Sequence, residues 1–291
     1  MKNILLSDSG PRVSQGIYSF WRWAAVDAQN QDKTNATISL CMSLGINTFD
    51  LADIYGGGYV EAAFGQALET LQIARKDVVL FSKCGLRKTE SNKNVIDNSP
   101  NYIRKSIDNS LKELKTDYLD LFLINYFDHL ADPEQTAMVL SEAVNNGQVK
   151  HIGIANFTVF QHQLLASYLS KPLVTNHIEM NLMNVSALED GRIDYTKQQF
   201  SKPLSWSPLA GGEILEGREG KAAILKSKLE SIGKKYETNI EQTAVAWLMQ
   251  LGTLPLIGSL SESRIRNAAS ATEIKLSKED WYELYDIALN G

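Results

Sequence analysis

Short hydrophobic runs, each about the length of a buried β-strand, recur along the whole chain and alternate with segments of helical periodicity. The pattern predicts strands at residues 13–20, 47–53, 78–85, 118–125, 151–157, 173–181, 203–208 and 254–259. Apolar residues at helical spacing predict helices between them, among others at 34–44, 60–70, 101–114 and 133–146. Strands that alternate with helices form a parallel sheet, because each helix returns the chain to the start of the next strand.

Eight strand–helix units in 291 residues predict an α/β fold, a (β/α)8 TIM barrel, as one domain over residues 1–291. A doubly wound sheet is the alternative. Such sheets usually carry a glycine-rich phosphate turn, and the sequence contains neither G-x-G-x-x-G nor a Walker A motif. Two segments exceed the eight units, near 212–220 and at 277–290. We expect both to lie beside or across the barrel, the second as an extra C-terminal helix.

The composition limits the kinds of binding partner and the cellular compartments that we expect for this protein. A net charge of −5 argues against nucleic acid or an anionic membrane surface as the main partner. Cys41 and Cys84 lie outside any metal-binding spacing, so we expect buried thiols and no metal site. No apolar run is long enough for a signal peptide or a membrane span. We therefore expect a cytoplasmic protein, with a monomer as the favoured state.

Chemistry in a TIM barrel lies at the C-terminal ends of the strands. Asp50 and Lys83 lie near the ends of two consecutive predicted strands, and Tyr55 follows Asp50 in the next loop. A lysine beside a tyrosine favours the phenolate, so we expect Lys83 to lower the pKa of Tyr55 while Asp50 keeps the lysine charged. Each residue alone has an ordinary structural explanation. The three together predict a tyrosine that acts as a general acid.

Five ordered motifs extend over essentially the whole chain. They are GINTFDLADIYGGGYVEAAFGQAL (45–68), FSKCG (81–85), GIANFT (153–158), WSPLAGG (206–212) and PLIGSLSESRIRNA (255–268). The set resembles the aldo-keto reductase superfamily and is most similar to its bacterial general oxidoreductases. This resemblance implies a (β/α)8 barrel that reversibly reduces small aldehydes or ketones with NADPH. It also implies that Tyr55 protonates the carbonyl oxygen as hydride arrives, with Lys83 and Asp50 tuning the tyrosine.

The same resemblance implies a nicotinamide site at the strand ends. Asn156 and His177 would contact the nicotinamide carboxamide, where His177 replaces the glutamine of relatives, and Trp206 would stack on the ring. The residues that would line the pyrophosphate are Ser207, Leu209 and Gly211.

The segment after the last strand predicts an anion site even without the resemblance. Gly258 and Ser259 precede a predicted helix, whose free N–H groups and dipole favour a phosphate. Arg264 matches the 2′-phosphate arginine of the family, and Asn267 is placed to reach the adenine. Ser261 replaces a lysine often found three residues before that arginine, which leaves NADH as an alternative cofactor.

Asn125 departs from the family pattern, because relatives carry a catalytic histidine at the end of this strand. An amide can still donate a hydrogen bond to the carbonyl oxygen, but it cannot titrate. We expect a working but slower reductase. The alternative is a slow or inactive NADP(H)-binding redox sensor or partner-binding subunit, since the related potassium-channel β subunits also carry asparagine here. His129 is a candidate replacement imidazole, and Trp21 is a predicted wall of the substrate pocket.

Overall fold

The structure, a computed structural model, describes residues 1–89, 91 and 93–291. A hairpin of β1 (Asn3–Leu5) and β2 (Arg12–Ser14) begins the chain. The later strands are β3 (Ile17–Ser19), β4 (Thr48–Asp50), β5 (Val79–Cys84), β6 (Leu86–Lys88), β7 (Asn94–Ile96), β8 (Leu119–Asn125), β9 (Val149–Ala155), β10 (Leu173–Glu179), β11 (Leu204–Trp206) and β12 (Leu254–Ile257). In the described part of the chain, β3, β4, β5 and β8 to β12 pair in parallel, in that order, and close into a barrel.

Helices follow the barrel strands. They are α1 (Ala25–Ala28), α2 (Gln31–Ser43), α3 (Val60–Thr70), α4 (Pro100–Glu113), α5 (Pro133–Asn145), α6 (Val159–Ala166), α7 (Ser186–Glu189), α8 (Arg192–Gln198), α9 (Glu213–Glu216), α10 (Gly220–Lys235), α11 (Ile240–Gln250), α12 (Glu262–Ser270) and α13 (Lys278–Asn290). Local sequence sets their starts: the Asp132 carboxylate caps α5 by accepting a hydrogen bond from Glu134 N at 2.9 Å. Among the described residues, no helix is long and apolar enough to cross a membrane.

The predicted barrel with an extra C-terminal helix is confirmed, whereas the first predicted strand is wrong. Residues 13–20 are two strands, because the Ser14 hydroxyl donates to Gly16 O at 2.7 Å and the chain turns there. β2 therefore pairs with β1 outside the barrel, and only β3 enters it. The extra helix α13 packs on the barrel helices, with Trp281 stacked on Trp247 of α11 at 4.9 Å between ring centroids.

Alternation along the strands decides which side chains reach the barrel interior. Leu121 and Leu123 of β8 pack with the interior cluster, whereas Phe122 and Ile124 pack in the layer between strands and helices. Because side chains alternate between faces, Asn125 continues the interior row.

Candidate active site

Three predicted catalytic residues meet at the C-terminal end of the barrel. Lys83 Nζ lies 2.5 Å from Asp50 Oδ1 and donates a second hydrogen bond to Leu51 O at 2.8 Å. The Lys83 and Asp50 side chains are only 4% and 0% exposed, so the ion pair is held out of water. Lys83 Nζ also lies 4.7 Å from the ring centroid of Tyr55. The structure thus brings the predicted aspartate, lysine and tyrosine together.

Ser19 belongs to the same cluster, although the sequence pattern did not indicate it. Its hydroxyl donates to Asp50 Oδ2 at 2.6 Å, so both carboxylate oxygens accept a hydrogen bond. Ser19 ends β3 opposite Asp50 of β4, which brings the two side chains within reach. A polar residue at the end of the first barrel strand is the signal that could have found it. That signal was obscured because the first strand was predicted to run on to Phe20.

The pKa of Tyr55 is raised, so the expectation that Lys83 lowers it is wrong. Burial and the Asp50 carboxylate raise this pKa well above its usual range, and the Ser19 hydroxyl opposes only part of the shift. Burial also lowers the pKa of Lys83, against the opposing effect of Asp50. The ion pair has little net charge to offer the tyrosine, so desolvation of the phenolate prevails. Tyr55 therefore keeps its proton at neutral pH, as a proton donor must.

Asn125 is held by a chain of hydrogen bonds that fixes the direction of its amide. Its Oδ1 accepts from Asn156 Nδ2 at 2.9 Å, and Asn156 Oδ1 accepts from Trp206 Nε1 at 2.9 Å. An indole N–H can only donate, so it determines the orientation of both amides. The Nδ2 group of Asn125 is consequently the end left for another acceptor, and no described residue accepts a hydrogen bond from it.

The backbone at these strand ends adopts conformations that most residues avoid. Tyr126, Asn156 and Ser207 have φ values of 66°, 65° and 57°, in the left-handed region. Gly85 has a φ of 117°, and a Cβ there would lie 2.4 Å from Asn125 O. The glycine thus permits the close approach of β5 and the end of β8. Such strain concentrates at functional sites.

His177 lies inside the barrel on β10, where its Nδ1 is 3.8 Å from Asp50 Oδ1. Burial lowers the pKa of His177 to about 3, so the imidazole is neutral at physiological pH. Within the described residues, its Nε2 has no hydrogen-bond partner. A buried polar atom left unpaired costs about 1–3 kcal/mol, and a carboxamide is a group that can pair with it. His129, in contrast, is exposed and packs its edge against Phe127 at 5.2 Å between centroids.

A cavity of about 370 Å³ lies between the loops that follow β11 and β12. The predicted cofactor-binding or pocket residues that line it are Ser207, Leu209, Gly211, Gly258, Ser259, Arg264 and Trp21. The Trp21 indole packs so closely against Gly258 that a Cβ on this glycine would lie 2.3 Å from Trp21 Nε1. Trp21 therefore shares a cavity with the predicted phosphate loops, and its role as a wall for the substrate stays a prediction.

Arg22 also lines this cavity, although the sequence motifs did not select it. Its guanidinium lies 4.6 Å from the centroid of the Trp21 ring, and its Nη2 lies 3.1 Å from where a Cβ on Gly211 would be. The Arg22 guanidinium and the glycines without side chains leave a space in this cavity that fits an anion such as a pyrophosphate. The sequence signal that could have indicated Arg22 is its position directly after the predicted pocket residue Trp21.

The two residues predicted for the adenosine end lie on α12. Arg264 lines the cavity, and its Nε lies 3.0 Å from Glu241 Oε1. Asn267 Nδ2 donates to the other oxygen of Glu241 at 2.6 Å. Both side chains therefore contact the same carboxylate, that of Glu241, which no sequence motif had indicated.

Comparison with known proteins decides the family. The aldo/keto reductase family matches residues 16–288 of this chain. The chain belongs to the aldo-keto reductase family. Two relatives of this aldo-keto reductase are each 33% identical to it and cover 99% of it and 98% of their own length. They are 6-dehydroglucose reductase from Agrobacterium fabrum, over 296 residues, and oxidoreductase YdhF from Escherichia coli, over 295 residues. The family and these relatives support an oxidoreductase that carries out NAD(P)H-dependent carbonyl reduction in general.

Solved structures agree with the fold of this aldo-keto reductase. The thermostable aldo-keto reductase Tm1743, in complex with the inhibitor epalrestat, superposes with a TM-score of 0.85 at 24% identity, covering 99% of this chain and 100% of that chain. Glycerol dehydrogenase AKR11B4 from Gluconobacter oxydans gives a TM-score of 0.86 at 21% identity, with coverages of 98% and 94%. At these identities the likeness shows the barrel fold alone.

Proposed function

We propose that this aldo-keto reductase reduces small aldehydes or ketones to alcohols with NADPH, with Tyr55 as the general acid. The observation that carries the proposal is the buried Lys83–Asp50 pair, with Lys83 Nζ 4.7 Å from the Tyr55 ring centroid. A reduced nicotinamide, when bound, supplies the hydride. The Tyr55 hydroxyl gives its proton to the carbonyl oxygen, while Asp50 holds the Lys83 side chain beside the tyrosine ring.

Asn125 provides the second donor to the carbonyl oxygen in this proposal. Its Oδ1 is occupied by Asn156, so its Nδ2 is directed to another acceptor. A fixed N–H group stabilises the negative charge that develops on the oxygen, as donors of an oxyanion hole do. Asp50 and Ser19 act through Lys83 by holding the ammonium in place.

We assign the binding of the nicotinamide dinucleotide to residues near Tyr55, Lys83 and Asn125 and on the loops beyond them. Asn156 and His177 bind its carboxamide, and Trp206 stacks on its ring. Ser207, Leu209 and Gly211 bind the pyrophosphate. The residues assigned to the adenosine end are Gly258, Ser259, Arg264 and Asn267. NADH is the alternative cofactor, and Trp21 borders the substrate.

The relatives suggest which carbonyl compounds to test. Proteins named 6-dehydroglucose reductase from Agrobacterium fabrum and Novosphingobium aromaticivorans are 33% and 32% identical to this chain. We therefore propose sugar-derived aldehydes beside simple aryl aldehydes as candidate substrates. We further propose that the protein acts as a cytoplasmic monomer of one domain.

A single-turnover experiment tests whether the chain transfers hydride. The purified protein with NADPH is mixed with 4-nitrobenzaldehyde, and loss of nicotinamide absorbance is followed for wild type, Asn125→Ala and Asn125→His. We expect clear oxidation by wild type, a rate about 10²-fold lower for Asn125→Ala because one donor is lost, and a rate for Asn125→His that equals or modestly exceeds wild type. Tight NADPH binding without oxidation by wild type would instead favour the redox sensor or partner-binding subunit, with Asn125→His showing whether histidine restores the reaction.

Trp206→Phe tests the hydrogen-bond chain that orients Asn125. Phenylalanine keeps an aromatic ring to stack on the nicotinamide, but it removes the indole N–H that holds Asn156. We expect the single-turnover rate to fall about tenfold, since the amide of Asn125 loses its fixed direction. In an Asn125→Ala background the same change is expected to have little further effect on the rate. Equal losses in both backgrounds would contradict the orienting role.

A further inference from the structure

A single carboxylate, that of Glu241, holds both side chains assigned to the adenosine end of the cofactor. Glu241 Oε1 lies 3.0 Å from Arg264 Nε, and Glu241 Oε2 accepts a hydrogen bond from Asn267 Nδ2 at 2.6 Å. The carboxylate thus has a cation on one oxygen and an amide on the other. Nothing in the reduction step needs this acid.

Glu241 is fixed in place and adjoins the cavity. It lies in the first turn of α11, which packs against α12, and Val245 one turn further along the helix lines the cavity beside Arg264. The Glu241 side chain is 14% exposed, whereas Arg264 is 48% exposed. Arg264 can therefore turn towards solvent or ligand more easily than the carboxylate can.

A second arginine on the same helix shows how different this arrangement is from a surface ion pair. Arg266 Nη2 lies 2.7 Å from Glu262 Oε1, and the two side chains are 52% and 66% exposed. Water screens such a pair, and its removal changes little. Glu241, in contrast, is a mostly buried carboxylate beside a guanidinium that borders the cavity.

The charge of Glu241 opposes one cofactor and suits the other. A 2′-phosphate on the adenosine ribose must either take Arg264 from Glu241 or share it, and in both cases two negative groups lie close together. A free 2′-hydroxyl carries no charge and can donate a hydrogen bond to a carboxylate, as it does to the acidic residue of NAD-binding folds.

We propose that Glu241 is a specificity-determining residue that weakens binding of NADPH relative to NADH. This inference rests on the proposed cofactor site and deepens it. Arg264 attracts the 2′-phosphate, while Glu241 offsets that attraction. The outcome is a site that accepts both dinucleotides, with a preference set by one carboxylate.

Equilibrium binding measures the affinity for NADPH and the affinity for NADH separately, without any turnover. NADPH and NADH are titrated into the purified protein at one ionic strength, and Kd is obtained from nicotinamide fluorescence for wild type, Glu241→Gln and Glu241→Ala. We expect both variants to raise the ratio of Kd for NADH to Kd for NADPH by about tenfold, mainly through tighter NADPH binding. Glutamine retains an oxygen to accept from Asn267, so this variant isolates the charge.

Glu262→Gln is the matched control, because it removes a carboxylate from an exposed arginine pair on the same helix. We expect its Kd ratio to equal that of wild type. Cofactor binding with an unchanged ratio in both Glu241 variants would overturn the inference and leave the proposed function intact. Failure of wild type to bind either dinucleotide would overturn the proposed cofactor site and this inference with it.

Discussion

Replacing Tyr55 with phenylalanine is expected to lower kcat for aldehyde reduction by about 10²–10⁴-fold, the usual contribution of a general acid. The Kd for NADPH is expected to stay unchanged, since the proposed role of the tyrosine is to donate to the substrate and the cavity proposed for the dinucleotide lies between other loops. Steady-state kinetics with 4-nitrobenzaldehyde and a fluorescence titration with NADPH measure the two quantities separately.

Tyr59→Phe provides a control with the same chemical change four residues away. Tyr59 is 49% exposed at the start of α3, so the loss of its hydroxyl is expected to leave kcat within about twofold of wild type, as for most exposed substitutions. Full activity in Tyr55→Phe would refute the assignment of the proton donor.

Lys83→Met is expected to lower the free energy of unfolding by about 3–5 kcal/mol, because it leaves the Asp50 carboxylate buried without its cation. The effect is large because the Lys83 and Asp50 side chains are almost fully excluded from water. Urea denaturation followed by circular dichroism gives the free energy, and the same preparation is expected to show no aldehyde reduction.

Asp50→Asn added to Lys83→Met is expected to recover most of this stability but none of the activity. The double variant removes the isolated charge, and Ser19 retains an acceptor in the asparagine side chain. Lys115→Met is the control for an exposed pair, since Lys115 Nζ lies 2.5 Å from Glu69 Oε2 with side chains 42% and 56% exposed. Its cost is expected to stay below about 1 kcal/mol. A loss in Lys83→Met no larger than this would contradict the role of burial.

The positions of several candidate site residues could be predicted because consecutive strands of a TIM barrel lie side by side. Residues at the C-terminal ends of these strands therefore lie close together. A strand that ends in a polar residue directs it to the same end of the barrel as its neighbours, so the sequence alone was enough to select Asp50, Lys83 and Asn125. Alternation within β8 then aims Asn125 inward, since Leu121 and Leu123 share its face. The fold prediction needed only such local patterns, whereas the family prediction came from the resemblance of five motifs along the chain.

The missed features depend on contacts between distant segments. The turn at Gly16 was not expected, and the hydrogen bond between Ser19 and Asp50 was missed because the first strand was predicted to end at Phe20 and not at Ser19. The raised pKa of Tyr55 follows from burial, which the spacing of residues does not reveal. Glu241 contacts Arg264 only because α11 and α12 pack together, and nothing in the sequence around either residue indicates that pairing.

The hydrogen-bond chain from Trp206 through Asn156 to Asn125 contains only an indole and two amides. None of these groups gains or loses a proton in the physiological range. His177, the imidazole nearest to Asp50, stays neutral because burial lowers its pKa to about 3. With Asn125 at the end of the fourth barrel strand, this side of the pocket therefore keeps the same charge in mildly acidic and mildly alkaline surroundings. The direction of the Asn125 amide is therefore expected to stay the same when the acidity of the surroundings changes.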